Sequence, residues 1–297
     1  MTKHSSLICP VDFSEGSRAA LRYAGAIASR FNASLTVLTV DDPLLTAVGD
    51  ARMGEGWSAS TTERELLNFI DQTLAATAKS VSRVDVRCGS AAPIILEAAR
   101  QLGHPLIVMG THGRSGVHKW MFGSVAERVL RETTAPVLLT PQDPGPATFD
   151  ELVKHASPML VPVDFSEATA HQVQAAATIA AALNLRMLVG HVIEPLDRML
   201  PGGIDEFEIS GERHRRVCRG LQGIVMGVKL PEAPSALIAS GVAAEEIAQW
   251  VRDRRVGLLV MALHDSVDGA PRMGSVTYRA IAASHVLTLA LPPARPS

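Results

Sequence analysis

Short apolar runs alternate with amphipathic segments along the first half of the chain. Five runs of four to six residues are apolar or rich in β-branched side chains, which is typical of strands in a parallel sheet covered on both faces. These runs are residues 7–11, 35–40, 84–88, 106–109 and 137–140. The segments between them place apolar residues at helical spacing and predict four helices. Five strands alternating with four helices indicate a doubly wound α/β sandwich with a five-stranded parallel sheet.

Residues typical of helix ends mark three of the four predicted helices. They are Ser14 before the first helix, the capping-box pair Thr62 and Glu65 at the second, and Pro93 and Gly103 around the third. The fourth helix is predicted from Gly123 to about Thr133. Residues 41–60, between the second strand and the second helix, contain three glycines. This segment is interpreted as a long surface loop.

The chain repeats itself once. Residues 160–167 correspond to residues 8–15 at an offset of 152 residues, with six of eight positions identical. Residues 274–276 correspond to residues 123–125 after a shift of one residue. The strands of the second copy are predicted at residues 160–163, 187–192, 236–240, 257–261 and 286–291. Prolines and a glycine interrupt residues 141–158, so we predict a first domain over 1–142, a linker over 143–157 and a second domain over 158–297.

Composition and charge exclude several classes of protein. Lys and Arg number 28 against 30 Asp and Glu, without long blocks of one sign, so no nucleic-acid-binding surface is indicated. Cys9, Cys88 and Cys218 lie far apart and lack the spacing of a disulfide framework or zinc site, which favours a reducing compartment. Cys9 and Cys88 fall in predicted strands and are interpreted as small core residues. No segment has the pattern of an export signal or a membrane span, and a cytoplasmic location is expected.

A glycine-rich segment follows the fourth predicted strand. Gly110 and Gly113 come directly after that strand, and Gly123 with Ser124 opens a helix. Glycines let backbone N–H groups approach an oxyanion, and a helix start adds positive potential, so this segment is a candidate phosphate-binding loop. The alternative is that the glycines only allow the chain to turn. Neither the Walker A pattern nor a G-x-G-x-x-G at the first helix is present, which excludes a routine P-loop NTPase or Rossmann dehydrogenase.

The spacing of these residues resembles a known family. Gly110-x2-Gly113-x9-Gly123-Ser124 matches the G-2x-G-9x-G-[S/T] motif of the universal stress protein family. Residues 10–14 resemble that family's first strand and turn, and residues 107–113 and 135–139 are equally typical of it. Because the resemblance extends over nearly all of both halves, the chain is similar to a tandem universal stress protein. The resemblance implies two Rossmann-like sandwiches of the adenine nucleotide alpha hydrolase type.

The resemblance also implies that the first repeat binds ATP, alone or with Mg²⁺. Asp12 would then contact the adenosine moiety, and the backbone at Val40 would face the adenine. The remaining residues of the implied site are Gly110, Gly113, Arg114, Gly123 and Ser124 around the phosphates, with Pro10, Val11, Met109 and Val125 close by.

The second repeat departs from this pattern. Ala262 stands at the position of Gly110 and Asp265 at the position of Gly113, and Asp268 adds another carboxylate. A methyl group obstructs close approach of the backbone, and a carboxylate repels phosphate. Asp164, Gly274 and Ser275 are retained. We therefore expect the second repeat to bind ATP poorly or not at all, or to hold a different nucleotide or anion.

Three classes of function remain open. The first is a regulatory module in which ATP orders residues 110–123 for a protein partner of unknown identity. The second is an ATPase or adenylate-forming enzyme that uses the same pocket. Hydrolysis needs a positioned water, a carboxylate for the metal and charges around the γ-phosphate, and Asp12 is the one acid identified near the pocket. The third is a structural domain that binds no nucleotide.

The last strand of each repeat is expected to join the two repeats as an internal pseudo-dimer. In single-domain members of the family the final strand commonly makes dimer contacts, and apolar edges at residues 137–140 and 286–289 promote aggregation unless they are paired. A fragment of residues 1–141 is therefore expected to dimerise, as measured by sedimentation equilibrium. A fragment that stays monomeric at high concentration would favour homodimerisation of the full chain through these edges instead.

Overall fold

The computed structural model describes residues 6–74, 80–111, 122–141, 149–155, 157–195, 206–265, 271–272 and 274–293. Contacts between residues divide the chain into two compact units. The first unit comprises Met1–Asp150 with Asp265–Arg272, and the second comprises Glu151–His264 with Met273–Ser297. Each unit contains a five-stranded parallel sheet with helices between the strands, so the predicted α/β class is confirmed.

The first unit alternates strands and helices as expected. Its elements are β1 (Ser6–Pro10), α1 (Glu15–Phe31), β2 (Ser34–Asp41), α2 (Pro43–Met53), α3 (Trp57–Leu74), β3 (Val81–Cys88), α4 (Ala91–Gln101), β4 (Leu106–Gly110), α5 (Ser124–Glu132) and β5 (Val137–Thr140). The strand order is β3-β2-β1-β4-β5, with every pair parallel. The order reverses between β1 and β4, and a ligand-binding crevice is expected at the carboxyl ends of these two strands.

The second unit has the same topology. A short helix α6 (Phe149–Lys154) precedes it, and its elements are β6 (Met159–Pro162), α7 (Ala168–Leu183), β7 (Met187–Ile193), α8 (Glu206–Gly227), β8 (Ser235–Ser240), α9 (Ala243–Asp253), β9 (Leu258–Ala262), α10 (Ser275–Ser284) and β12 (Leu287–Leu291). Between β9 and α10 the chain forms β10 (His264–Asp265) and β11 (Pro271–Arg272), and Asp265 and β11 belong to the first unit. The parallel order is β12-β9-β6-β7-β8, while β10 and β11 form a separate two-stranded sheet. The order reverses between β6 and β9.

Local sequence explains both ends of α1. Ser14 is extended and its hydroxyl accepts a hydrogen bond from the Ser17 N–H at 3.2 Å, as predicted for an N-cap. Asn32 ends the helix in the left-handed conformation, with φ 48°. Between them, Leu21 and Ala24 are fully buried. Small residues on this face let α1 pack closely over the sheet and bring its N-terminus to the end of β1.

The centre of the first sheet is completely buried. Ile8, Leu35, Ile107 and Leu139 have no exposed surface. Cys9 is also buried, and this burial raises the pKa of its thiol. Cys88 is exposed because it ends the edge strand β3, so its predicted place in the core was wrong.

The structure also corrects two predictions about residues 41–62. The predicted loop contains helix α2, which Asp42 caps by accepting hydrogen bonds from the N–H groups of Leu44 and Leu45. Helix α2 buries none of its residues, so it lacks the periodic apolar face that sequence reading relies on. Helix α3 begins at Trp57, and Thr62 therefore lies inside the helix instead of capping it.

The N–H and the hydroxyl of Ser58, at the start of α3, bond the carboxylate of Asp50 in α2 and lower the pKa of that carboxyl group.

The predicted linker is not wholly irregular. Helix α6 occupies part of it, and its Leu152 is buried. Residues 142–148 and 156 lie outside the described residues, and the predicted domain boundaries stay a prediction. Among the helices described, none has the length and apolar character needed to cross a membrane.

Candidate functional site

A cleft of about 260 Å³ opens at the carboxyl ends of β1, β2 and β4, where the strand order of the first unit reverses. The N-termini of α4 and α5 complete its wall. Nine of the eleven residues predicted for the site line this one cleft: Pro10, Val11, Asp12, Val40, Met109, Gly110, Gly123, Ser124 and Val125. The other two, Gly113 and Arg114, lie outside the described residues.

Six further residues line the cleft and were not predicted. They are Ser17, Leu38, Ala91, Ile95, Thr111 and Ala126. Ala91 and Ile95 lie one turn apart at the start of α4 and face the cleft together. In the sequence this pair cannot be distinguished from the buried face of any amphipathic helix. The available signal was their place directly after a predicted strand, where ligands of parallel sheets bind.

Asp12 forms a tight turn between β1 and α1. Its Oδ1 accepts hydrogen bonds from the Ser14 N–H at 3.1 Å and from the Ser14 hydroxyl. Phe13, between them, is left-handed with φ 64°. One oxygen of the carboxylate therefore holds the turn that aims α1, and this restricts what Asp12 offers a ligand.

Hydrogen bonds join the ends of β1 and β2 beneath the cleft. The Val11 N–H donates to the Leu38 carbonyl at 2.8 Å, and the Thr39 hydroxyl donates to the Val11 carbonyl at 3.0 Å. Thr39 is buried. These bonds hold the backbone around Val11 and Val40 in place, as a rigid binding edge requires.

The N-terminus of α5 borders the opposite end of the cleft. The Gly123 N–H donates to the Thr111 carbonyl at 2.8 Å, which ties the helix start to the end of β4. Gly123 is the N-cap, and it has no side chain to bond the N–H groups of the first turn. Ser124 and Val125, in that first turn, line the cleft. Such N–H groups and the positive end of the helix dipole favour an anionic ligand.

The second unit has a corresponding cleft of about 460 Å³. The three residues that the sequence retains, Asp164, Gly274 and Ser275, line it together with Ala262. Asp265 lies in β10, and its side chain is outside the described part of the structure. The two repeats of the sequence therefore form two clefts at equivalent strand ends.

Comparison with known proteins decides the family. The model of the universal stress protein family matches residues 4–141 and again residues 156–292. The chain belongs to the universal stress protein family. The family predicted from the glycine motif is thus confirmed, and each matched range covers one sequence repeat and one of the two clefts.

Some relatives match about half of this chain, and others match nearly all of it. A protein named as a universal stress protein in Staphylococcus epidermidis is 30% identical over 166 residues, covering 54% of this chain and 96% of the relative. A universal stress protein from Archaeoglobus fulgidus superposes over 98% of this chain and 99% of its own, with a TM-score of 0.66 and 21% identity. One from Pseudomonas aeruginosa covers 97% and 93%, with a TM-score of 0.64 and 17% identity. These structures share the fold of the whole tandem chain.

Proposed function

We propose that the first universal stress protein domain binds ATP and that the chain is a nucleotide-dependent regulatory protein of the stress response. The observation that carries this proposal is the convergence of nine predicted residues, far apart in sequence, on one cleft at the switch point of the sheet. Ligands of open α/β sheets bind at this place. Family membership supports the choice of a nucleotide.

The two ends of the cleft suit the two ends of a nucleotide. Leu38, Val40, Ile95 and Met109 form an apolar wall that an adenine ring can pack against. The start of α5 offers backbone N–H groups to phosphate. Mg²⁺ is commonly held by one or two carboxylates together with substrate phosphates, and Asp12 is the carboxylate that lines the described cleft.

ATP is expected to bind with one equivalent per chain, as measured by isothermal titration calorimetry. Ala91→Trp should abolish this binding, because Ala91 is half-buried at the first position of α4 and an indole there fills the cleft. The matched control is Ala243→Trp, at the first position of α9 in the second cleft, which should leave it unchanged. Two equal sites, or a site insensitive to Ala91→Trp, would contradict the proposal.

ATP hydrolysis is expected to be slow, with a turnover well below about 1 per second, the lower end of ordinary enzymes. Among the described residues that line the cleft, Asp12 supplies the carboxylate, and its Oδ1 already holds the turn to Ser14. Hydrolysis also requires a positioned water and charges around the γ-phosphate. Phosphate release from saturating ATP measures the rate, with Ala91→Trp as the background control. A faster turnover that Ala91→Trp removes would support the ATPase alternative.

A further inference from the structure

The second cleft keeps six of the residues that line the base and ribose side of the first cleft, while Gly190 replaces Leu38. Pro162, Val163, Asp164, Val192, Ile247 and Met261 line it, and each is identical to the residue that lines the first cleft at the equivalent position. These six residues lie at the ends of three strands and on one helix. The second cleft has therefore kept most of the chemistry of this wall, in a larger volume of about 460 Å³ against about 260 Å³.

The turn beside this wall is retained in geometry as well as in sequence. The Ser166 N–H donates to Asp164 Oδ1 at 2.9 Å, as the Ser14 N–H does to Asp12. Phe165 has φ 60°, matching 64° at Phe13. Asp164 therefore holds the same turn as Asp12, although α7 begins at Ala168 without a side-chain cap, one residue later in the repeat than the start of α1 at Glu15.

Polar side chains bond the backbone carbonyls of the strands around the second cleft. Gln172 is buried, and its Nε2 donates to the carbonyls of Pro162 and Val260 at 3.0 and 2.9 Å. His191 replaces Thr39 and bonds the Val163 carbonyl through Nδ1 at 2.7 Å. Because a carbonyl only accepts, Nδ1 carries a proton and donates this hydrogen bond. Arg213, whose guanidinium donates to the Glu194 carbonyl at 3.1 Å, lines the cleft together with Glu194, so one cationic and one acidic residue lie there.

The part of the second domain that corresponds to the phosphate-binding side of the first cleft is not retained. Ala262 lines the second cleft where Gly110 lines the first. A methyl group therefore lies where a phosphate would approach the backbone closely. By sequence, residues 110–123 carry Arg114 and Lys119, a formal charge of +2 with His neutral. Residues 262–274 carry two aspartates and one arginine, a formal charge of −1. A chain of phosphates that the first segment attracts is repelled by the second.

We propose that the second domain binds an adenine nucleoside that carries at most one phosphate, with AMP as the probe, and that it discriminates against ATP. The choice of adenine rests on the proposed function of the first domain. Gly274, Ser275 and Val276 at the start of α10 are retained and can meet one phosphate. A second and third phosphate would meet the methyl group of Ala262, where Gly110 lines the first cleft. The two domains thus sense different phosphorylation states of one nucleotide.

The test uses the full chain with each cleft filled in turn. In the Ala91→Trp variant, whose first cleft is blocked, calorimetry with AMP is expected to show one site, at least about tenfold tighter for AMP than for ATP. Adding Ala243→Trp should abolish that site. An Ala91→Trp variant that binds no AMP, or binds ATP as tightly as AMP, would overturn the inference. ATP binding to the Ala243→Trp variant tests the first domain separately, so failure of one proposal is distinguishable from failure of the other.

A gain of function tests the cause of the discrimination. In the Ala91→Trp background, Ala262→Gly combined with Asp265→Gly recreates the glycines of the first repeat. ATP affinity at the second cleft is then expected to rise about tenfold or more, because a methyl group is removed from the cleft and one negative charge from the sequence after β9. AMP affinity should change little. Equal changes for AMP and ATP would show that these residues do not select by phosphate number.

Discussion

Replacement of Ser124 by Asp is expected to lower the ATP affinity of the first domain by about a hundredfold or more. Ser124 is exposed, is the first residue of α5 and lines the cleft. An acidic residue suits this position in a helix, because it faces the partial positive charge of the N-terminus. The fold should therefore persist. The same carboxylate repels phosphate groups that approach these N–H groups.

The second domain provides a matched control for this prediction. Ser275 is also exposed, is the first residue of α10 and follows a glycine N-cap. Ser275→Asp introduces the same charge at the equivalent site and should leave ATP affinity unchanged. Isothermal titration calorimetry compares the two variants, and thermal melts without ligand confirm that both fold. Equal losses of ATP affinity, or none in either, would show that the phosphates lie away from α5.

Replacement of Leu35 by Ala is expected to lower the free energy of unfolding of the first unit by about 2–5 kcal/mol. Leu35 lies in β2 and has no exposed surface. Truncation removes buried methyl groups and leaves a cavity that the packed sheet cannot fill. Denaturant unfolding of the full chain, followed through the transition of the first unit, measures the loss.

The same truncation at an exposed leucine gives the control. Leu44 lies in α2 with 73% of its surface exposed. Leu44→Ala should change stability by no more than about 0.5 kcal/mol. If Leu35→Ala had as small an effect as Leu44→Ala, the described core of the first sheet would be wrong.

Elements with a buried face were predictable, and those without one were not. The strands that contain Ile8 and Leu160 are recognisable in the sequence as apolar runs, because both faces of each strand are covered. Ser14 marked the start of α1 because its hydroxyl competes for backbone N–H groups. Helix α2 escaped detection because a capping aspartate and Pro43 form it locally, without burial. Cys88 was misplaced because a run of residues does not reveal which strand lies at a sheet edge.

The candidate site divides in the same way. The glycine motif and the strand ends were readable in sequence, since backbone approach to a ligand demands glycine and parallel sheets bind ligands at one edge. The contribution of α4 was not readable, because Ala91 and Ile95 become cleft residues only when α4 packs beside the end of β2. Leu38 and Thr111 joined the cleft for the same reason.

By itself, the sequence determined the repeat, the α/β class, the family and most of the residues around the first cleft, because these follow from local periodicity and from motifs that backbone chemistry restricts. Only the tertiary structure decided that one carboxylate oxygen of Asp12 accepts the hydrogen bond from the Ser14 N–H. It also decided that the second domain keeps an open cleft although two glycines are replaced. The physical reason is that hydrogen-bond partners and cavity walls come from strands far apart in sequence. Gln172 illustrates it, since one side chain bonds the carbonyls of both Pro162 and Val260.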